Sequence, residues 1–489
     1  MTLRVGGLHL MLMDLKRRPR TGDTVTFVLR FAASAPITVK APVKPGDVPP
    51  RPVTDPRAPP PGHAGAGARE RPGRTPMERP DQSSGVTRRR VLSVAGGVGI
   101  AGLASGAAAG ALGRPSSGGT ETPLAVVGAT AVPFHGRHQA GITTPPQACG
   151  HLVAFDLEPG ADRAATAALM RRWSRAAEAM TAGRPPAGDD QIALDAGPCS
   201  LTVTFGFGRT FFARTGLEDR TPFALVEMPP FPGDALDRSR SDGDLWVQIG
   251  ADDPLVAVHA LRVLQKTASG TARVRWQMNG FNRARGAAQG PRTVRNLMGQ
   301  LDGTGNPAPS DPGFDGKIFV SATGPEAWMD GGSYAVVRRI RMLLDAWEQL
   351  SVDRQERVIG RRKDNGAPLS GGTETAPADL AATGPDGTLA IPGDAHIRVA
   401  APASNGGATM LRRGFSYHDG QREDGAPDAG LLFVAWQADP TTGFIQVQRK
   451  LAGADGLTRY LRHESSAIFA VPGGATTPDD YIGRPLLEP

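Results

Sequence analysis

The sequence has few cysteines and none of the short signatures of the common hydrolytic or nucleotide-binding enzymes. Two cysteines among 489 residues exclude a disulfide-dense scaffold and a zinc cluster built from cysteine alone. The chain also contains no HExxH pair, no nucleophile elbow, no Walker loop and no zinc-type ligand spacing. The most readily recognised hydrolase, metal and nucleotide sites are therefore missing.

The formal net charge is +7, but most of the chain carries no excess of positive charge. Residues 1–76 contain 13 basic and five acidic residues, and the other 413 residues contain 42 basic and 43 acidic ones. Because the body of the protein is nearly neutral, the high isoelectric point does not indicate a fold that binds nucleic acid. We therefore expect no nucleic-acid partner.

The first 76 residues do not have the pattern of a folded domain. Residues 41–76 are crowded with proline, glycine and arginine and show almost no apolar periodicity, so they cannot bury enough surface to offset their chain entropy. Two interpretations are open. The segment 1–76 is a disordered extension, or the start codon has been assigned too early and Met77 is the true start.

A targeting signal follows at residues 77–115. The arginine run 88–90 precedes an apolar stretch over 91–112 that is rich in glycine and alanine, as in twin-arginine export signals. A membrane anchor is the alternative, but the stretch is only weakly hydrophobic, so we expect no stable membrane span. A GxGxxG match at 97–102 lacks the preceding strand that a dinucleotide site needs. We expect an extracellular or cell-envelope protein that folds before export, which favours a cofactor protein.

The globular part begins near residue 122 and has alternating strand and helix patterns. The first series comprises strands at 151–157, 201–208, 245–250 and 272–280 and helices at 162–181 and 254–268. The order β-α-β-β-α-β is the ferredoxin-like arrangement. It predicts a first domain over 122–310.

A second α+β series predicts a domain over 311–489. Its strands are expected at 317–322, 333–343, 396–400, 410–417, 431–437 and 467–471, with helices at 345–359 and within 445–451. We predict two antiparallel sheets with helices packed against them. A long loop over 361–394 interrupts the second domain, and loops of that length in compact domains are more often functional than idle.

Three short segments contain side chains suited to binding or catalysis. His396 begins a predicted strand directly after the long loop, Asp302 lies in a GxxDG segment, and Arg412 and Arg413 are adjacent on a strand and so point to opposite faces. Each has a purely structural alternative: a histidine with satisfied hydrogen bonds, a turn aspartate, and an edge strand with solvated arginines. Taken separately, none of them decides the function.

Five longer runs occur in order along the chain. They are GRHQAGI (136–142), RNLMGQLDGT (295–304), QERVIGRRK (355–363), HIR (396–398) and LRRG (411–414). This series resembles the DyP-type (dye-decolourising) haem peroxidases, in particular their exported, twin-arginine branch, over about residues 122–485. The resemblance implies an α+β fold of two ferredoxin-like β-α-β-β-α-β domains with antiparallel sheets, and one haem b per chain held mainly by the second domain.

The resemblance also implies the roles of the central residues. His396 would be the proximal ligand of the haem iron, since a neutral imidazole nitrogen is a good iron ligand. Asp302 would lie on the opposite face and move a proton between the two oxygens of hydrogen peroxide. Arg412 would stabilise the negative charge that grows on the leaving oxygen.

Further cofactor contacts are implied around this centre. Arg361 would pair with a haem propionate, because a guanidinium suits a carboxylate. Gly303 and Thr304 would complete the cofactor-binding set. His138 belongs to a matching run, and we expect it to order a loop near the haem rather than to react.

One position departs from the family pattern. The family usually has an acidic residue just before a tyrosine near the C-terminus, within reach of the proximal histidine, whereas here Arg459 precedes Tyr460. Three replacements remain open for the hydrogen bond from the histidine ring: Asp455, Glu464 or a backbone carbonyl. The electronic environment of the proximal ligand depends on which of them is used.

Other residues have two interpretations each. Trp276, Trp347 and Tyr417 are either electron relays or core packing, and core packing is the commoner role. Cys149 and Cys199 form a disulfide after export or remain two small buried thiols.

The implied function is a peroxidase that uses hydrogen peroxide to oxidise dyes, phenols or similar organic reductants by one-electron steps. Two alternatives use the same cavity: iron release from haem in an iron-uptake system, and a non-catalytic haem carrier. A homo-oligomer is left open by the sequence.

Overall fold

The computed structural model describes a large part of the chain, and its described residues are 2–5, 8–11, 24–31, 34–42, 128–284, 287 and 293–488. The chain divides into two compact units, Met1–Gly110 and Ala111–Pro489. No helix in the described ranges is long and apolar enough to cross a membrane. The predicted export signal at 77–115 lies outside the described residues.

The first unit contains four short strands. They are β1 (Thr2–Val5), β2 (Leu8–Met11), β3 (Thr24–Phe31) and β4 (Ser34–Pro42), and β1 pairs with β2 and β3 with β4, both antiparallel. We expected no folded structure in 1–76, so these strands differ from the expectation. The reason is local: β3 reads TVTFVLRF, in which apolar residues recur with the period of two of a strand, and the composition of 41–76 carries no such signal. Residues 43–76 lie outside the described residues.

The second unit opens with the first predicted series, whose type and order are confirmed. Its elements are β5 (Cys149–Leu157), α1 (Arg163–Thr181), β6 (Thr202–Gly208), α2 (Arg209–Thr215), β7 (Leu245–Ala251), α3 (Pro254–Ala268) and β8 (Ala272–Phe281). Asp162 caps α1 by accepting a hydrogen bond from the Ala165 amide at 2.8 Å. Asp253 caps α3, and proline occupies the first turn of that helix, as we expected.

The second series follows in the same unit. Its elements are α4 (Phe314–Ile318), β9 (Ser333–Met342), α5 (Leu344–Glu348), α6 (Val352–Ile359), α7 (His396–Val399), β10 (Leu411–Arg412), β11 (Phe415–Gln421), β12 (Pro427–Gln437), α8 (Gln446–Ala454), β13 (Leu461–Val471) and α9 (Arg484–Leu487). Single 3₁₀ turns lie at Glu218–Arg220, Arg238–Arg240, Gly324–Met329, Pro402–Ser404 and Gly456–Tyr460, and a π-helical turn lies at Thr441–Ile445.

Three predicted elements are wrong in the second series. The segment 317–322 was predicted as a strand, but α4 ends within it at Ile318, and residues 319–322 form neither helix nor strand. The predicted strand 396–400 is the short helix α7. Both are segments of a few residues, for which periodicity does not separate a strand from a buried helical turn. The predicted helix 345–359 is two helices, because the Ser351 hydroxyl accepts a hydrogen bond from the Arg354 amide and starts α6 afresh.

The strands of the second unit form one ring instead of two separate sheets. The order is β10-β12-β11-β8-β5-β7-β6-β13-β9, and β9 pairs back onto β12, so that eight strands close a barrel with every pairing antiparallel. The two predicted sheets are joined where β6 meets β13 and where β8 meets β11. Closure pairs the edge strands, whose backbone N–H and C=O groups would otherwise lack strand partners. Local sequence patterns do not encode this long-range pairing.

Alternation along the strands separates the barrel interior from an outer cavity. On β9, Ala335 and Val337 belong to the interior core, whereas Ile340 and Met342 line the cavity. On β12 the interior residues include Val434, and the neighbouring Phe433 lines the cavity. Because successive side chains of a strand point to opposite faces, the same strands build the core and one wall of the site.

Candidate active site

A cavity of about 480 Å³ lies against the outer faces of β9, β12 and β13. Its walls are mostly apolar and include Met298, Leu301, Ile340, Met342, Ile359, Leu380, Ile397, Met410, Leu431, Phe433, Phe444, Val447, Leu451, Leu457 and Leu461. All six predicted site residues line it: Asp302, Gly303, Thr304, Arg361, His396 and Arg412. The volume and the apolar lining with a few polar groups are typical of a cofactor site.

His396 reaches this cavity from α7 and is held by a carboxylate. Its Nδ1 lies 2.7 Å from Oδ2 of Asp455, whose side chain is only 3% exposed. The other oxygen of Asp455 accepts a hydrogen bond from the Leu457 amide at 2.9 Å. With Nδ1–H donating to Asp455, the imidazole presents Nε2 as its free ligand atom.

Of the three replacements left open for the missing family acid, the structure has Asp455. The other carboxylate, Glu464, is engaged by arginines of the barrel and an adjacent loop, Arg339, Arg341 and Arg422. Asp455 lies earlier in the sequence than the family position, at the start of a 3₁₀ turn, so spacing alone did not identify it.

The pKa of His396 reflects this partnership. Burial lowers the pKa, but the attraction and hydrogen bond from the Asp455 carboxylate outweigh burial, and the net result is a pKa above the usual value. The charges of Arg412 and Asp302 act on the same ring in opposite directions, Arg412 lowering and Asp302 raising its pKa. The charges of Asp302 and Arg412 therefore act on His396, so these three predicted site residues interact electrostatically.

Asp302 is presented by a tight hairpin, which we call the distal hairpin and define as residues 293–305. The Asp302 amide donates to the Val294 carbonyl at 2.9 Å, and the Asn296 amide donates to the Gln300 carbonyl at 3.0 Å. Asn296 Nδ2 also donates to Oδ2 of Asp302 at 3.2 Å, and Asn296 Oδ1 accepts the Gln300 amide at 3.3 Å. Sequence reasoning missed Asn296, whose only signal was its place in the run 295–304.

Glycine is required beside the aspartate. Gly303 has a φ of +121°, in the region that residues with a side chain rarely adopt. The hairpin therefore carries Asp302 on a backbone whose shape depends on the next residue being glycine.

Arg412 ends β10 and Arg413 follows it, and the two side chains reach different surroundings. The backbone of Arg412 bonds to the side chain of Asn306, with the amide donating at 3.1 Å and the carbonyl accepting at 2.7 Å. Arg412 lines the cavity, and its buried Nε has no hydrogen-bond partner among the described residues. Arg413 instead donates from Nε to the Thr144 carbonyl at 2.7 Å and from a terminal nitrogen to Gln147.

Arg361 follows α6 directly and is fixed to the long loop. Its NH1 donates to the carbonyls of Gly366 and Glu374, both at 2.8 Å. Burial lowers the pKa of Arg361, the charge of Glu374 raises it, and Arg412 lowers it. Thr304 donates from Oγ1 to the Glu374 carboxylate at 3.0 Å. Glu374 lay in the loop that we expected to be functional, but no pattern singled it out.

The polar atoms of the cavity fit a haem. Three buried side-chain nitrogens of the lining have no hydrogen-bond partner in the described part of the chain: Arg412 Nε, Gln300 Nε2 and His463 Nδ1. Burial, and then the nearby Arg338 charge, lower the pKa of His463 to about 3, so this ring is neutral at physiological pH. A cavity with apolar walls, an imidazole ligand atom and the Arg361 guanidinium matches a flat apolar ring that carries carboxylates.

Several residues considered from the sequence lie elsewhere. His138 stacks on Phe319 at 3.5 Å between ring centroids and its Nδ1 lies 2.6 Å from the Gly331 carbonyl, so it orders a loop but does not line the cavity. Trp276, Trp347 and Tyr417 are at most 5% exposed and belong to the packed cores.

The cysteines are both free in the structure. Cys149 is paired with Ala251 of β7, while the carbonyl of Cys199 accepts the Asp252 amide on the other side of the same strand. Burial, and then the charges of nearby aspartates, raise the pKa of both thiols.

Comparison with known proteins agrees with this geometry. Residues 139–282 match the family model "Dyp-type peroxidase, N-terminal", and residues 293–476 match "Dyp-type peroxidase, C-terminal". The distal hairpin thus falls in the C-terminal model, and the predicted division at residues 310 and 311 stays a prediction. Residues 1–43 match the model of a putative lipoprotein, LpqE-like.

Individual relatives cover nearly the whole second unit. The chain is 45% identical to a "Dye-decolorizing peroxidase" of Thermobifida fusca over 437 residues, which is 84% of this chain and 100% of the relative. It is 37% identical to a "Deferrochelatase" of Escherichia coli K12 over 82% of this chain and 97% of that protein. The solved structure of ferric DtpA from Streptomyces lividans has a TM-score of 0.73 and 60% identity, and covers 75% of this chain and 100% of the other.

Family members of this kind are oxidoreductases that use haem and hydrogen peroxide, with a second reductant as co-substrate. The family models cover more than half of the chain, and the chain spans the whole of two of these relatives. The chain therefore belongs to the Dyp-type peroxidase family and is a haem-dependent peroxidase.

Proposed function

We propose that this chain reduces hydrogen peroxide in the cavity beside β9, β12 and β13, where His396 would hold a single haem b and Asp302 and Arg412 would act on the peroxide. The observation that carries the proposal is that all six residues chosen from the sequence line one cavity. The chemistry that bound haem supplies is the two-electron reduction of peroxide to water. The protein residues bind and orient the reactants and move the protons.

On the proximal side, Asp455 orients the imidazole ring of His396. Its carboxylate holds the Nδ1–H of His396 at 2.7 Å, which fixes the tautomer and the ring orientation and leaves the Nε2 lone pair for iron. The Leu457 amide donates a hydrogen bond to the Asp455 carboxylate, which keeps that carboxylate oriented towards His396. The partial negative charge passed to the ring makes His396 a more basic ligand.

On the distal side, Asp302 and Arg412 have different roles. Asp302 accepts the proton from one peroxide oxygen and returns it to the other, directly or through a water molecule. Asn296 holds one oxygen of this carboxylate, which leaves the second free for the proton. Arg412 stabilises the charge on the leaving oxygen, and its unpartnered Nε is a donor that no other protein group occupies in the described residues.

Arg361, Gly303 and Thr304 complete the cofactor site. The two backbone carbonyls that bind NH1 of Arg361 hold the guanidinium on the cavity wall, where its other donors can pair with a propionate. Gly303 lets the backbone approach the ring closely. Thr304 donates a hydrogen bond to Glu374, which holds the end of the distal hairpin in place.

Dyes, phenols or similar organic molecules are the proposed reductants, in line with the name of the Thermobifida fusca relative. With haem bound, the distal space left in the cavity would be too narrow for bulky reductants, so these would give up electrons one at a time at the haem edge or the protein surface. A second candidate is iron release from haem, which the Escherichia coli relative named "Deferrochelatase" favours. The two candidates leave different products: oxidised reductant in one case, intact iron-free porphyrin in the other.

The domain organisation that we propose is a pair of ferredoxin-like repeats, with haem held mainly by the second. Two observations support it: each half has the element order β-α-β-β-α-β, and the strand orders β8-β5-β7-β6 and β13-β9-β12-β11 correspond position by position. The boundaries remain 122–310 and 311–489. Residues 77–115 are proposed as a twin-arginine signal.

Export to the cell envelope or the medium completes the proposal. The match of residues 1–43 to a lipoprotein model favours an exported protein. Neither a nucleic-acid partner nor a stable membrane span is proposed, and self-association into a homo-oligomer is compatible with the fold.

The test compares haem loading and peroxide reduction in wild type, His396→Ala and Asp302→Ala. We expect His396→Ala to lose the intense haem absorption band, and Asp302→Ala to keep haem but to react ~10²–10⁴-fold more slowly with peroxide. Asp386→Asn, an exposed loop variant, serves as the control and should behave as wild type. Haem loading without any reaction with peroxide in wild type would refute the peroxidase proposal and favour the carrier.

A further inference from the structure

The long loop between α6 and α7 contributes a carboxylate that binds the distal hairpin at both ends. Oε1 of Glu374 accepts a hydrogen bond from Thr304 Oγ1 at 3.0 Å and another from Thr293 Oγ1. Thr293 begins the hairpin, and Thr304 lies two residues after Asp302. A single oxygen atom therefore joins the two legs of the element that presents Asp302.

Packing keeps Glu374 at this position. The backbone carbonyl of Glu374 accepts a hydrogen bond from NH1 of Arg361 at 2.8 Å. A Cβ on Gly366 would lie 2.5 Å from Leu301 Cδ1 and 3.0 Å from Glu374 Cγ, so the loop lies in direct contact with the hairpin. The contact is possible only because residue 366 has no side chain, with a φ of +74°.

The tip of the hairpin is held by a different residue. Arg295 donates from NH1 to the Gly299 carbonyl and from NH2 to the Asp364 carbonyl, both at 2.7 Å. These bonds do not involve Glu374. Loss of the Glu374 carboxylate therefore frees the base of the hairpin, where Asp302 lies, and leaves the tip in place.

We propose that Glu374 is a positioning residue for Asp302, acting through the hydroxyl groups of Thr293 and Thr304. Glu374 does not line the cavity, so its effect on the reaction passes through the hairpin. The proposal rests on the proposed role of Asp302 in proton transfer. It also gives the long loop a function: closing the base of the hairpin on which the proton-transfer group sits.

The magnitude follows from the geometry of proton transfer. A reacting group displaced by about 1 Å loses on the order of 10²-fold in rate, because proton transfer needs hydrogen-bond contact. Two hydroxyl bonds to one carboxylate are charge-assisted and stronger than neutral bonds. Removing both at once is expected to loosen the base of the hairpin without unfolding the barrel, since Glu374 is half-buried in a loop.

The experiment uses Glu374→Ala, Glu374→Gln and a matched control in the full chain. Glutamine keeps an oxygen acceptor for both threonines, whereas alanine keeps none. The control is Asp386→Asn, an exposed carboxylate of the same loop that accepts bonds from Thr388, at 2.7 Å from Oγ1 and 3.1 Å from the amide. Amide hydrogen exchange of residues 293–305 is measured in the haem-free protein, and the reaction with peroxide in the haem-loaded protein.

We expect Glu374→Ala to speed exchange in 293–305 by ~10-fold or more and to slow the reaction with peroxide ~10–100-fold, with unchanged KM for the reductant. Asp386→Asn should match wild type in both measurements, and Glu374→Gln, whose neutral oxygen keeps weaker bonds to both threonines, should lie much closer to wild type than to Glu374→Ala. If Glu374→Ala does not fold, Thr293→Val removes one of the two bonds, and a several-fold effect of the same kind is expected.

Three results would overturn the proposal: unchanged exchange in Glu374→Ala, faster exchange with an unchanged peroxide rate, or no rescue by glutamine. A wild-type protein that binds haem but does not react with peroxide would refute the proposed function instead. The hydrogen-exchange measurement needs no activity, so the two failures are distinguishable.

Discussion

The adjacent residues Arg412 and Arg413 are expected to respond in opposite ways to the same substitution. Arg412 is tied to Asn306 only through its backbone, and its Nε has no partner among the described residues, so its side chain contributes little to folding. Arg413 is buried and binds the Thr144 carbonyl and Gln147. Burial lowers the pKa of Arg413 to about 10, which leaves it charged at neutral pH.

The magnitudes follow from these contacts. Arg412→Leu removes a donor for the charge on the leaving peroxide oxygen, which costs ~10²–10³-fold in rate, or about 3–4 kcal/mol of activation free energy. The same change should alter the free energy of unfolding by less than about 1 kcal/mol, because no side-chain partner is left unpaired. Arg413→Leu leaves the half-buried Thr144 carbonyl and the buried amide oxygen of Gln147 unsatisfied, at a cost of about 2–5 kcal/mol of stability.

Two assays separate the effects. Stopped-flow absorbance of the haem-loaded proteins gives the second-order rate constant with peroxide, and denaturant unfolding of the haem-free proteins gives the stability. The expected pattern is a slow, stable Arg412→Leu and a destabilised Arg413→Leu whose folded fraction reacts at nearly the wild-type rate. The reasoning fails if Arg412→Leu reacts as fast as wild type, or if it is destabilised as much as Arg413→Leu.

Three further predictions concern groups outside the reaction. The pKa of His463 falls to about 3 in the folded state, while unfolding restores it to about 6.5. Stability should therefore decrease as the pH falls from 6.5 towards 3, and at pH 5 wild type should have lost about 2 kcal/mol more than His463→Gln in denaturant unfolding. Cys149 and Cys199 flank β7, and two strand spacings of about 4.8 Å exceed the ~7 Å limit for a disulfide, so thiol titration of denatured, unreduced protein should find both free. Arg339 is 1% exposed and binds three carboxylates, so Arg339→Met should cost at least about 3 kcal/mol in denaturant unfolding.

Much of the fold follows from local patterns in the sequence. The long helices α1 and α3 have capping aspartates and apolar spacing, and β5 to β8 have the expected alternation, so these elements were predicted within a few residues. The short elements α4 and α7 were not, because a segment of only four or five residues does not show whether its period is that of a strand or of a helix. Closure of the barrel depends on pairing between distant edge strands, which no local pattern shows.

The candidate site follows from the sequence to a similar degree. His396, Asp302 and Arg412 came from the resemblance of whole runs, and the structure brings them to one cavity. Asn296 and Glu374 were missed because their roles come from hydrogen bonds to Asp302 and Thr304, and a residue that supports another has no chemical signature of its own. Asp455 was one of three alternatives and was selected only by the fold.

The most direct test of the whole account is the absorption spectrum of the purified, haem-loaded protein before and after one equivalent of hydrogen peroxide. Wild type should show an intense haem band that changes within milliseconds of mixing, whereas His396→Ala should show little or no bound haem. A wild-type protein that takes up no haem, or a His396→Ala variant with the wild-type spectrum, would contradict the central claim that His396 holds haem iron in this cavity.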